Sequence, residues 1–132
     1  MANTIYPLWK AGIIQASANT ALTGNLKVAL VNSTTFPYSA ANQFFSSVTS
    51  TVAAGVALAT KTYTNGTLGA ASVVFTAVPG PTVGQALVLY VDSGVASTSP
   101  LVAYIDTATN LPVTPNGGDI TITWNASGIF AL

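Results

Sequence analysis

Apolar and polar residues alternate with a period of two along most of this chain. The clearest case runs from Leu101 to Trp124, LVAYIDTATNLPVTPNGGDITITW. Val102 and Tyr104, then Thr121 and Thr123, alternate with Ala103 and Ile105, then Ile120, Ile122 and Trp124. That pattern, in β-branched and aromatic residues, predicts two strands. Between them Pro112, Pro115, Asn116, Gly117 and Gly118 cannot continue a central strand, and the Asn-Gly-Gly step supplies positive φ angles that turn the chain. The expected product is two strands of one antiparallel sheet joined by a long ordered loop.

The same pattern recurs upstream. Leu26, Val28 and Leu30 alternate with Lys27, Ala29 and Val31 as a first strand, with Lys27 expected toward solvent. Val52 to Tyr63 reads as a second β region, ending in Thr64-Asn65-Gly66-Thr67, where Asn-Gly predicts a hairpin. Its return strand is expected over Leu68 to Phe75, with Gly69 at a bulge. Val78-Pro79-Gly80-Pro81 breaks the pattern, Gln85 to Val91 predicts a buried strand, and Asp92-Ser93-Gly94 turns it. Gly128 to Leu132 predicts either an edge strand or a tail laid on a neighbour. Two short stretches depart from period two. Met1 to Thr4 begin an N-terminal arm of about residues 1–9, and within and beyond it Ile5, Leu8, Trp9 and Ile13 suit a short helix with Pro7 in its first turn. Asn32 to Tyr38 reads as loop, after which Ser39 is placed to N-cap a helical turn through Ala40, Ala41, Gln43, Phe44 and Phe45.

About seven strands separated by turn signals, with one or two short helices near the N-terminal half, predict an all-β fold. The expected architecture is an antiparallel β-sandwich of the jelly-roll or immunoglobulin-like kind. The 19 Thr and 14 Val favour strands. A length of 132 residues with 50% hydrophobic content is enough for one core, so residues 1–132 are read as one domain.

Charge changes the picture. Asp, Glu, Lys and Arg make up 5% of the chain, against roughly 25% in ordinary soluble domains. The whole set is Lys10, Lys27, Lys61, Asp92, Asp106 and Asp119, and the net charge is zero. A free monomer would lack the charge that keeps a domain soluble, so much of the surface is expected to be covered by partners. Three scattered lysines do not form a basic stripe, and no nucleic-acid partner is expected. No apolar run approaches the ~20 residues of a spanning helix, so no membrane is expected either, and the N-terminus carries no signal-peptide pattern. The absence of cysteine rules out disulfides and thiolate metal sites.

The chemistry on offer is sparse. General acid-base catalysis draws most often on His or Glu, and the chain has neither. A Ser or Thr nucleophile needs an adjacent base, and the three aspartates are far apart in sequence. Those aspartates sit beside turns, where Asp bonds its own backbone, rather than in a pattern for a hard cation. No enzyme activity, cofactor or metal is expected. Asn125-Ala126-Ser127 matches a glycosylation acceptor. Trp9 and Trp124 are the indoles available for a sugar platform, although Trp124 lies in a strand where packing is the commoner fate. Apolar residues at the two ends, together with paired phenylalanines that one short helix cannot bury together, mark a candidate assembly interface. It comprises Ile5, Tyr6, Leu8, Trp9, Phe44, Phe45, Ile129, Phe130 and Leu132.

Several stretches carry a resemblance. They are Tyr6-Pro7 with Lys10, Leu26 to Val31, Ala57 to Thr62, Ala86 to Gly94, and most specifically Leu101 to Asp106 and Leu111 to Trp124. Together they resemble a family of small structural proteins of tailed bacteriophages, and the likeness covers most of the chain. It implies a virion structural protein without catalysis. The expected form is a capsid decoration, or cement, protein on the capsid exterior. As a homo-oligomer, dimer or trimer, it would contact the major capsid protein or other virion proteins. The alternative it implies is a tail- or fibre-associated receptor-binding module. This chain has Gly69-Ala70-Ala71-Ser72 where similar proteins carry acidic residues, and Ala131 where they carry a basic one, which agrees with a surface buried in an assembly.

Overall fold

The computed structural model describes residues 3–132. Along them run β1 (Thr4–Ile5), helix α1 (Pro7–Ile14), β2 (Leu26–Val31), β3 (Ala53–Ala57), β4 (Thr67–Leu68), β5 (Val73–Phe75), β6 (Ala86–Val91), β7 (Leu101–Ile105), β8 (Ile120–Ile122) and β9 (Phe130–Ala131). The fold is all-β, as the periodicity predicts, with nine strands among the described residues. Five of them form one antiparallel sheet in the order β1-β7-β6-β2-β3, and the others form two ribbons, β4-β9 and β5-β8.

Every residue of β6 and β7 is buried. Successive side chains of a strand point to opposite faces, so the sheet must be covered on both sides. Cross-strand register places Ala29, Val88, Tyr90 and Tyr104 on one face and Val28, Leu30, Leu87, Leu89 and Ile105 on the other. The first face is roofed by the segment after β2. Tyr38 lies 5.9 Å from Tyr104 and 5.3 Å from Tyr6, ring to ring. Phe45 stacks on Tyr90 at 3.9 Å, and the Tyr104 hydroxyl donates to the Phe36 carbonyl at 3.2 Å. Toward the second face, Ile5 and Ile105 border the same cavity as Ile129 and Phe130. The β5-β8 ribbon buries Val73, Phe75, Ile120 and Ile122 and exposes Val74 and Thr121, the alternation of a strand pair with one covered side.

Two pairings differ from expectation. The strands on either side of the Asp106–Asp119 loop belong to different sheets, because β7 pairs with β6 and β1 while β8 pairs with β5. The loop itself decides this. Val113 exchanges both backbone hydrogen bonds with Gly84, at 2.8 and 2.9 Å, and Gly117 N–H donates to Val78 O at 2.7 Å. The chain is thereby carried along the Val78–Gly84 segment to β5, and Asp119 Oδ1 then accepts the Ala77 N–H at 2.9 Å. The Asn65-Gly66 reversal does form, with φ of 53° and 78°. Across it, however, only Thr62 and Gly69 pair. The expected return strand is split, β4 going to β9 and β5 to β8.

The helical turn expected after Ser39 stops at a single turn, Asn42 N–H donating to Ser39 O at 3.1 Å. Ser39 Oγ accepts the Ala41 N–H at 3.3 Å, but the chain reaches Phe44 extended, at φ −122° and ψ 158°, and makes a short 3-10 turn at Phe45–Ser47 instead. Its backbone is committed elsewhere. Phe45 N–H donates to Ser99 O at 2.8 Å, and Leu101 N–H donates to Gln43 O at 2.9 Å.

The segment read as an arm is part of the fold; its residues 1 and 2 lie outside the described residues. Thr4 and Ile5 pair with Tyr104 and Ala103. Pro7 opens α1, where its missing N–H costs nothing. Tyr6 is fully buried and Trp9 is 2% exposed, with Trp9 Nε1–H donating to Thr20 O at 3.3 Å. Gly128 to Leu132 resolves to the edge-strand reading, as β9.

Two outcomes follow from this core. Trp9→Ala should cost about 3–5 kcal/mol, the range for a large buried aromatic, and deletion of residues 1–9 should abolish cooperative unfolding, both read by chemical denaturation. Tyr6 presents the opposite case, because its buried hydroxyl makes no hydrogen bond to another described residue. Burial, with Tyr104 and Tyr38 nearby, drives its pKa far above the usual phenol value. Tyr6→Phe removes the unsatisfied group and should raise stability by about 1 kcal/mol in the same assay.

Candidate assembly surface

The nine residues predicted for an interface do not form one patch. Tyr6 and Trp9 are consumed by the protein's own core. Ile5, Ile129 and Phe130 are half-buried where the first and last elements meet, and the Phe130 ring stands edge-on to Trp9 at 5.9 Å and 83°. Phe44 and Phe45 are half-buried on the tyrosine-bearing face, Phe44 bridging to Pro100 and Phe45 stacked on Tyr90. Leu8, at 39% exposure, and Leu132, at 65%, remain outward.

Sequence reasoning missed Ile14, which is 87% exposed at the end of α1. The signal was present. With Trp9 and Ile13 turned inward, a residue one step beyond Ile13 falls about 100° around the helix. Pro7, Lys10, Ala11 and Ile14 are all exposed on that outer side. Val95, also exposed, sits in a loop where periodicity carries no information.

The charged groups are mostly spent on the fold. Lys27, read as pointing to solvent, is half-buried and pairs with Asp92 at 2.8 Å. Lys61 Nζ donates to Gly24 O at 2.7 Å. Asp92 Oδ1 accepts the Gly94 N–H at 2.9 Å, the turn role expected of it, whereas Asp119 reaches across to Ala77. The Asp106 N–H donates to Asn3 Oδ1 at 2.9 Å. Among the described residues there is no group of three or more His, Cys, Asp or Glu placed to hold a metal ion, and no helix is long and apolar enough to cross a membrane. Both indoles are buried, with Trp124 Nε1–H donating to Ala71 O at 3.1 Å. Asn125 Oδ1 accepts the Ser127 N–H at 2.8 Å, so the Asn-Ala-Ser triplet forms an exposed Asx turn.

No known protein-family model matches this chain, and none of the curated proteins is detectably similar to it.

The Lys27 and Gly94 hydrogen bonds hold the Asp92 carboxyl below its ordinary value of 3.8. A carboxylate depressed in the folded state contributes stability above its unfolded pKa and loses it as pH falls through the folded one. The melting temperature of the native protein should therefore drop below about pH 4, and Asp92→Asn should lower it at neutral pH and flatten that acid limb. Thermal scans of both proteins across the acid range check this.

Proposed function

We propose that this protein is a non-enzymatic virion structural protein of a tailed bacteriophage, a capsid decoration protein that self-associates and braces neighbouring subunits of the head shell. The observation that carries the reading is the outer surface at the joined chain ends, where apolar residues are exposed around a single charged side chain, Lys10. There Ile14 and Leu8 of α1 are exposed, and Leu132 follows β9, while the Trp9–Phe130 contact holds helix and strand together. Isolated exposed apolar residues are ordinary, but here they sit on a chain with almost no charge to keep it apart from its copies. Support also comes from the resemblance read in Leu101–Asp106 and Leu111–Trp124, taken here as part of the proposal, and from the commitment of Lys27, Lys61, Asp92 and Asp119 to holding the fold. A dimer or trimer is the simplest closed assembly.

In sedimentation at micromolar concentration the protein should run above its 13.3 kDa monomer mass. Burying one Ile contributes ~1.5–3 kcal/mol, so Ile14→Lys should weaken association by about tenfold or more. A monodisperse monomer counts against the reading. On purified virions, gel densitometry should give a copy number comparable to that of the major capsid protein. A small number of copies would place the protein at the tail or on a fibre instead.

A further inference from the structure

A groove of about 630 Å³ runs between the Thr60–Ala71 turn and the Trp124–Gly128 segment, within the ~300–1,000 Å³ range of ligand sites. Its walls carry the hydroxyls of Thr60, Thr62, Thr64 and Thr67 and the amides of Asn65 and Asn125, and no Lys or Asp lines it. We propose that this groove binds a neutral saccharide. The assignment stands apart from the question of whether the protein decorates a shell.

The chemistry of the walls selects the ligand class. Without a charged side chain there is nothing to pair with a phosphate, a carboxylate or an ammonium group, so anionic and cationic ligands gain no advantage. Hydroxyls and carboxamides each donate and accept, which matches the mixed donor and acceptor character of sugar hydroxyls. The hydroxyls of Thr60, Thr62, Thr64 and Thr67 make no hydrogen bond to another described residue, and neither does the Asn65 amide, whereas Thr20, Thr35 and Thr98 all bond within the fold. Part of the lining is apolar. Trp124, held by its bond to Ala71 O, lines the groove together with Ala70 and Ala126, apolar surface suited to the C–H face of a sugar ring.

The groove is also built rather than incidental. Thr60 holds φ +52° and Asn65 φ +53°. A β-branched residue in the left-handed region is an outlier that persists only where its surroundings enforce it. Those surroundings are visible. Thr62 and Gly69 exchange hydrogen bonds at 2.8 and 2.9 Å, Ala71 N–H donates to Ala59 O at 2.9 Å, and Ile129 N–H donates to Leu68 O at 2.6 Å. A Cβ at Gly69 would lie 2.7 Å from Thr62 Oγ1, and one at Gly128, at φ +109°, would collide with Thr67 Cγ2. Gly128 accepts only glycine, and a side chain at Gly69 would have to displace that of Thr62. Walls fixed in this way pay little ordering entropy when a ligand arrives.

The test is an amide and indole NMR titration of the full chain with millimolar maltotriose, cellotriose, mannotriose and galactobiose, and glycerol as a control. At least one trisaccharide or disaccharide should give saturable shifts confined to residues 60–71 and 124–128, including the Trp124 indole N–H, that glycerol does not reproduce. The variant Thr62→Val with Ser127→Ala should bind that sugar about tenfold more weakly. Thr64→Ala, at an exposed position, provides a second reading if the double variant loses its native spectrum. No saturable shift with any sugar, shifts that glycerol matches, shifts centred elsewhere, or unchanged affinity in the folded variants would overturn the assignment.

Discussion

Strands β2, β6 and β7 are apolar on both faces, and a sheet of that kind cannot stand with either side open to water. Leu26 to Val31, Ala86 to Val91 and Leu101 to Ile105 are buried apart from Lys27, and the apolar area they remove from water is the main source of stability. Everything else in the molecule is placed to cover that slab. The loop after β2 brings Phe36, Tyr38 and Phe45 to one side, while the small ribbons and α1 bring apolar faces to a common core cluster. The irregular shape of the covers follows from this demand, since loops and ribbons can supply buried side chains wherever their backbone groups find partners.

Polar order in this protein is correspondingly carried by backbone and by small side chains. The Lys27–Asp92 pair is the one ion pair among the described residues. Asx and hydroxyl turns at Asn32, Ser93, Asn116 and Asn125 do the work that charged networks do in other proteins. Surface salt bridges contribute little to stability in any case. Their scarcity leaves the fold intact and leaves the outer surface without the repulsion that keeps copies of a protein apart.

Helix α1 and the last strand are joined by the Trp9–Phe130 contact, and in the assembly proposed above this would couple association to folding. Residues that would serve as a free docking arm are instead structural, so the outward-facing neighbours Leu8, Ile14 and Leu132 ride on a rigid base. An interface built on such a base costs less ordering entropy than one made by a flexible tail.

The alternation of residues determined, without any structure, that the protein is all-β, that Leu26–Val31, Ala86–Val91 and Leu101–Ile105 are strands, that Pro7 opens a short helix, and that Trp124 is buried. Each of these rests on side-chain period or on the local chemistry of one residue, and both are written in the chain itself. What only the tertiary structure decided is partnership. Leu101–Ile105 and Ile120–Ile122 looked like mates, yet the loop between them pairs with Gly84 and Val78 and delivers them to different sheets. The Asn65-Gly66 turn has the right dihedral angles, yet β4 on its far side pairs with β9 from the other end of the chain. Tyr6 and Trp9 looked available to a neighbour because an apolar residue near a terminus carries no mark of what will cover it. Thr60 and Thr62 carried no signal, and Asn65 and Asn125 signalled only a turn and a glycosylation acceptor, since neutral polar residues in turns look alike until the fold brings two turns together around one groove. Period and propensity act between residues a few positions apart, whereas burial and pairing are settled by which distant backbone groups are left to be satisfied.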